Sequence, residues 1–199
     1  MEKSTLAKTA LVTVAMVAAL TFSVMGITYS TGPGSCTYPS TGSMGQSQPG
    51  TGGFVIEVTK DGDPVTAYAP GSTYTVTLSA PTDYTGFLLQ SVAGDPGVPN
   101  ENGAGEFMNL GAQYQNGPCA VEASSVGHSL ARRNAAVASD SFEWVAPEAG
   151  TGPVTFHAVG VYSRFDWHGQ ETLIVTTLSE GDVVDTGTES WSTVKSRYD

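Results

Sequence analysis

The chain has 199 residues and carries 19 acidic against 8 basic side chains, a formal net charge of −11 at pH 7. That length gives room for one domain of ordinary size with a targeting segment and tails. The acidic balance excludes nucleic acid and heparin-like polyanions as partners, because holding them depends on clustered Lys and Arg.

Lys3 and Lys8 lead into an uncharged stretch from Thr9 to Thr28 rich in Ala, Val, Leu and Met, the pattern of a secretory signal peptide. Residues 1–26 are expected to be removed, with a boundary as late as residue 30, because Gly32, Pro33 and Gly34 cannot continue a helix. An uncleaved membrane anchor is the rival reading, but Thr9, Thr13, Thr21 and Ser23 dilute a stretch barely long enough to cross a bilayer. No later stretch is long and apolar enough, so no membrane span is expected in the mature chain. Cleavage after Gly26 would remove Glu2, Lys3 and Lys8 and leave 18 acidic against 6 basic side chains.

From Thr31 to Gly53 the chain is mainly Gly, Ser, Thr and Pro, and only Cys36 and Tyr38 look able to dock, so the segment reads as a pinned loop. Short β-branched and aromatic runs follow, with no apolar stripe of helical period. The expected strands are Gly53 to Thr59, Thr73 to Ser79, Tyr84 to Ser91, Phe107 to Gln113, Ser141 to Val145, Gly152 to Ser163 and Thr172 to Ser179. In the second of these Tyr74, Val76 and Leu78 alternate with threonines, which marks one buried and one wet face. Val154, Phe156 and Ala158 alternate likewise until Val159 and Val161 break the rule, so this strand should be central and covered on both sides.

Turn chemistry at Asp61-Gly62-Asp63-Pro64, Ala69-Pro70-Gly71, Gly94-Asp95-Pro96-Gly97 and Ala146-Pro147 separates the runs. Gly94 to Gly105 reads as a long loop, Ser124 to Ala138 mostly as coil, and residues 180–199 as an acidic C-terminal tail. The domain is therefore expected over residues 31–179, all-β, as a two-sheet antiparallel sandwich.

Two cysteines, Cys36 and Cys119, lie beyond the signal segment, and one disulfide is the economical assignment in an oxidising compartment. Closing that loop would remove about 4 to 5 kcal/mol of unfolded-state entropy in the chain-entropy picture. Of the three histidines, His168 sits in Asp166-Trp167-His168, yet no spacing among His128, His157 and His168 forms a metal frame, so none is assigned to a metal or cofactor. His128 is expected to satisfy a loop hydrogen bond. Asp61-Gly62-Asp63 has the carboxylate spacing of a calcium loop without the remaining ligands, and a polar hairpin turn explains it better. No nucleophile elbow, HExxH, CxxC or phosphate-cradling run appears, and no catalytic residue is named. Tyr29, Tyr38, Tyr114 and Trp191 fall in segments poor in other apolar residues and are expected to be exposed contact candidates. N-linked sugar is not expected, since no Asn-x-Ser or Asn-x-Thr occurs, while Ser40, Thr41, Ser43 and Ser47 could carry O-linked sugar.

The ordered set Cys36, Gly53-Phe54-Val55-Ile56-Glu57-Val58, Tyr68-Ala69-Pro70-Gly71 and Tyr74-Thr75-Val76-Thr77-Leu78 resembles the front half of a reeler domain. The resemblance continues through Gly86-Phe87-Leu88-Leu89-Gln90, Gly105-Glu106-Phe107, Cys119, His128 and Phe142-Glu143-Trp144-Val145-Ala146-Pro147. It ends with Gly152-Pro153-Val154-Thr155-Phe156-His157-Ala158 and Phe165-Asp166-Trp167, and so covers roughly Cys36 to Trp167. It implies an immunoglobulin-like β-sandwich with Cys36 bonded to Cys119, Gly71 and Gly86 on tight backbone paths, and Phe87, Trp144 and Phe156 in the core. The chain departs from the family pattern at Gly127, where a Thr commonly precedes the His, and its acidity does not suit glycosaminoglycan binding.

Reeler-like domains open reelin and spondin-type matrix proteins, stand alone in small insect defence proteins, and precede ferric-reductase-like membrane modules. The resemblance thus implies a secreted, non-enzymatic recognition or defence protein that binds an extracellular protein or glycan surface through its loops. The alternative is an adhesive cell-surface subunit that self-associates, its Thr31 to Gly53 segment or acidic tail extending a neighbour's sheet. A third reading is the detached front module of a membrane redox protein.

Overall fold

In a computed structural model of the chain, the structure describes residues 44–94, 102–117, 122–129 and 136–181. The expected signal segment, Tyr29, Tyr38, both cysteines with their expected bridge, Trp191 and the tail beyond residue 181 lie outside the described residues.

Among the described residues, twelve strands follow in chain order. They are β1 (Val55–Lys60), β2 (Asp63–Pro64), β3 (Ala67–Tyr68), β4 (Thr73–Tyr84), β5 (Gly86–Ala93) and β6 (Glu106–Met108). After them come β7 (Tyr114–Asn116), β8 (Ser125–His128), β9 (Val137–Val145), β10 (Val154–Ser163), β11 (Asp166–His168) and β12 (Ile174–Glu180). One sheet has the order β2-β1-β4-β9-β6, and the other β3-β12-β10-β5-β8-β7, with β11 also paired to β10. Pairing is antiparallel except between β3 and β12.

The period-2 pattern decides the packing of the five-stranded sheet. Ile56 and Val58 on β1, Tyr74, Val76 and Leu78 on β4, and Phe142 and Trp144 on β9 all point inward and are buried. The registers Ile56 to Leu78, Val76 to Phe142 and Tyr74 to Trp144 line these side chains up across the strands. Phe87, Leu89, Val154, Phe156, Ala158, Ile174 and Leu178 of the other sheet complete the core. Each buried Val, Leu, Ile or Phe among them contributes about 1.5 to 3 kcal/mol of transfer free energy. Phe87, Trp144 and Phe156 have no exposed surface, as the family resemblance implies.

The central strands of the seven-stranded sheet, β5 and β10, are covered on both sides. β10 is buried at every residue from Val154 to Val161, as expected for a central strand. Outside the sandwich, Val159 and Val161 meet Met44 and Trp167 in a second apolar cluster. The covering strap is residues 44–53, stitched down by Gln48 N–H to the Trp167 carbonyl at 2.8 Å and by Gly50 N–H to Thr172 Oγ1 at 3.0 Å. Glu171 N–H adds a bond to Ser47 Oγ at 3.1 Å. The segment expected as a loop pinned through Cys36 and Tyr38 is docked over its final ten residues by Met44, an apolar anchor, and by the polar contacts that follow it.

Two other expectations are corrected. Ser125 to His128, expected as coil, is the wholly buried strand β8, and β9 begins at Val137 inside the same segment. The run expected from Phe107 to Gln113 is shorter: β6 ends at Met108, where Asn109 takes a left-handed φ of 54°, and the chain turns before β7. At Asp61-Gly62, with φ of 54° and 94°, a two-residue hairpin links β1 to β2, the geometry an Asp-Gly pair favours.

The sheets are tied at one margin by Thr176 Oγ1, which donates to the Ile56 carbonyl at 2.7 Å. At the far end of β12 the Glu180 carboxylate accepts from Gly150 N–H at 2.7 Å and Gly152 N–H at 2.6 Å, fixing the turn between β9 and β10. These two backbone bonds hold its carboxyl below the usual range.

Gly160 on β10 lies against the Phe54 ring, and a Cβ there would come within 2.3 Å of it. Gly160→Ala is expected to destabilise the fold by about 1 to 3 kcal/mol through overpacking. Gly111→Ala, where a Cβ meets nothing within 4 Å, should stay within about 0.5 kcal/mol of the parent. Urea unfolding of the two variants checks the contrast.

Candidate functional site

The alternation that buries Phe142 and Trp144 also buries Asp140, whose residue is 3% exposed. A carboxylate there must be fully bonded. Its Oδ1 accepts from the Tyr114 hydroxyl at 2.6 Å, and its Oδ2 from the Tyr84 hydroxyl at 2.8 Å. His128 Nε2 lies 3.2 Å from the same Oδ2, while His128 Nδ1 lies 3.2 Å from the Thr85 carbonyl. Tyr84 stacks on the His128 ring with 10° between planes, and Phe87 meets that ring edge-on with centroids 4.8 Å apart.

Burial by itself would raise the Asp140 pKa. The hydrogen bonds from His128, Tyr114 and Tyr84, together with the attraction of His128, outweigh it and hold the carboxyl at about 2. This hub is closed to solvent, since His128 has no exposed surface, so its chemistry is internal bonding between strands. His128 thus sits on a strand and has two partners, the carbonyl of Thr85 in the link between β4 and β5, in line with the expected loop hydrogen bond, and the buried carboxylate, which the sequence did not reveal. Tyr114, expected to be an exposed contact, is half-buried with its hydroxyl turned to Asp140, because a buried carboxylate offers it a stronger partner than water.

The other two histidines lie in separate places. His168 on β11 has Nδ1 3.1 Å from the Gly50 carbonyl and Nε2 3.2 Å from Asp166 Oδ1, so it pins the strap. His157 faces outward from β10 beside Gln90 of β5 and Val175 of β12, and burial pushes its pKa down to about 4. Among the described residues no three His, Cys, Asp or Glu side chains gather as a metal ion would need. Asp61 lies in the β1–β2 turn with Gly62, and Asp63 opens β2.

Two surface features remain, and neither was anticipated from the sequence. The first is the tip of the β10–β11 hairpin, where Ser163 pairs with Asp166 and Arg164-Phe165 forms the two-residue turn. Phe165 is 71% exposed, the most of the large apolar side chains described, and the Arg164 guanidinium sits 5.3 Å from its ring centroid. The base of the tip is held by Gln48 Nε2, which donates to the Phe165 carbonyl at 3.1 Å, and by Thr85, whose N–H donates to the Val161 carbonyl at 2.9 Å. The second feature is an open groove of about 330 Å³ beside β1, lined by Val55, Glu57, Pro64, Val65, Ser79 and Thr176 among others.

Phe165-Asp166-Trp167 held the only sequence signal for the tip, and alternation alone would have buried Phe165 with Trp167. Phe165 escapes that alternation because it lies in the turn, one residue before β11 begins at Asp166.

The architecture is an immunoglobulin-like all-β sandwich whose seven-stranded sheet is covered over its central strands and whose five-stranded sheet has a wet outer face. Residues 34–181 match the family model described as the Reeler domain, and the chain belongs to that family. A solved structure of the human F-spondin reeler domain is 29% identical, covering 70% of this chain and 96% of that one with a TM-score of 0.56. A second, described as the Reelin-N domain of F-spondin, is 30% identical over 70% of this chain and 94% of that one, with a TM-score of 0.54. The domain is thus of an extracellular type.

The buried groups set the acid response. His157 binds a proton at pH 6.5 when unfolded but only near 4 when folded, so the unfolded state holds more protons in that window and stability falls as pH falls through it. Asp140 repeats the sign lower down, between 3.8 and about 2. Each step amounts to about 2 to 3 kcal/mol. In a urea titration across pH, His157→Gln should flatten the upper part of the decline and leave the lower. Asp140→Asn should flatten the lower part and, by leaving three donors short of a charge, lose about 3 kcal/mol or more at neutral pH.

Proposed function

We propose that the chain is a secreted, non-enzymatic recognition or defence protein that binds an extracellular protein or glycan surface through the Arg164-Phe165 hairpin tip. Family membership and the apolar stretch that follows Lys8 support export. The observation that carries the binding role is the turn itself. Two-residue hairpins favour Gly, Asn or Asp at positive φ, yet neither Arg164 nor Phe165 has a positive φ, and neither residue brings turn chemistry. Nothing in that turn calls for an aromatic, so a ring left in solvent there points to a role for its side chain in contact. A rigid ring with a cation beside it is the kind of anchor that dominates binding free energy, and a tip already held at its base loses little freedom on docking.

The test begins with the chain expressed with its own N-terminal segment and collected from the medium. Intact mass should show cleavage between Gly26 and Ser30. Immobilised protein is then screened against glycans, microbial cells and matrix proteins beside Phe165→Ala. At least one class should bind, and the variant should bind it about tenfold or more weakly with an unchanged thermal midpoint. A screen with no binder, or equal binding by both proteins, defeats the reading.

A further inference from the structure

We propose that one partner of the tip is a second copy of this chain, whose β1 groove receives Phe165 and Arg164; this rests on the tip being a contact surface. The groove offers what the tip lacks. Val55, 57% exposed, with Pro64 and Val65 supplies apolar wall, and Glu57 supplies an exposed carboxylate. The tip carries the converse pair, an exposed ring and a guanidinium. Arg164 and Lys60 are the only basic residues among those described, and neither Glu57 nor Arg164 has an ion-pair partner among the described residues. Two unmatched charges of opposite sign, each next to exposed apolar surface, sit on one molecule.

The groove is suited to a side chain rather than to an added strand. Along this margin the Ile56 carbonyl is taken by the Thr176 hydroxyl and the Val58 carbonyl by Val65 N–H at 3.0 Å. An incoming strand would find these two acceptors occupied. A volume of about 330 Å³ lies at the small end of ligand pockets, enough for an aromatic ring with part of its neighbour. A contact of this size buries less than the roughly 1,200 Å² typical of stable complexes, so the association is weak and concentration-dependent. Glu57 with Arg164 also makes it sensitive to salt.

Sedimentation of the secreted protein from about 10 µM to 1 mM at low salt tests the contact. The mean mass of the parent should rise with concentration, and that of Phe165→Ala, Glu57→Arg and Arg164→Glu should not. An equimolar mixture of Glu57→Arg and Arg164→Glu should associate, because the tip of each variant then finds a groove of opposite charge on the other. A parent that stays monomeric throughout, or a mixture that stays monomeric, overturns the proposal. Glu57→Arg leaves the tip intact, so its binding to a foreign partner reports on the preceding reading independently of self-association.

Discussion

A carboxylate sealed between two sheets constrains this sandwich more tightly than its apolar packing does. Apolar side chains tolerate small shifts, but Asp140 needs donors at defined positions, and they come from three other strands: Tyr84 at the end of β4, Tyr114 on β7 and His128 on β8. Two of those strands are only three and four residues long and belong to the opposite sheet from β9. A slip of one residue in either would carry its side chain to the other face and leave a buried charge short of a bond. The hub therefore fixes register where short strands alone specify it poorly.

The second constraint is the unequal treatment of the two outer faces. Thr73, Thr75 and Glu143 leave the five-stranded sheet wet, while the strap covers β10 of the seven-stranded sheet around Val159 and Val161. The strap gives His168 a backbone partner at Gly50, beside a strand on which burial lowers the pKa of His157. It also braces the hairpin, since Gln48 bonds the backbone of Trp167 and of Phe165. The tip is consequently rigid at its root and free at its end, the condition under which an exposed ring binds without a large ordering penalty.

The sequence made plain what depends on period and turn chemistry. Thr73 to Ser79, the doubly covered Val154 to Val161 and the Asp61-Gly62 hairpin could all be read directly, because local alternation and left-handed tolerance decide them. Ser-Val-Gly-His on β8 could not, since it offers one large apolar residue and its burial is licensed by partners elsewhere, Thr85 and Asp140. Tyr114 misled for the same reason: a segment poor in apolar residues looks exposed unless the distant carboxylate is known. Met44 was passed over because one apolar residue among Gly and Ser shows no period, and its cluster partners lie more than a hundred residues away.

Folding and recognition draw on different residues here, and that separation has a physical basis. The hub, the core aromatics and the Glu180 clamp stabilise the frame through groups that are buried or bonded within the chain. Arg164 and Phe165 contribute no side chain to that frame; only the Phe165 carbonyl is engaged. Val55 and Glu57 on β1 are in the same position, pointing outward while Ile56 and Val58 pack inward. Because side chains of a strand alternate, one element can hold the core with one set of residues and present a groove with the other. Changes on the outward set then alter what is bound while leaving the register that Asp140 enforces untouched.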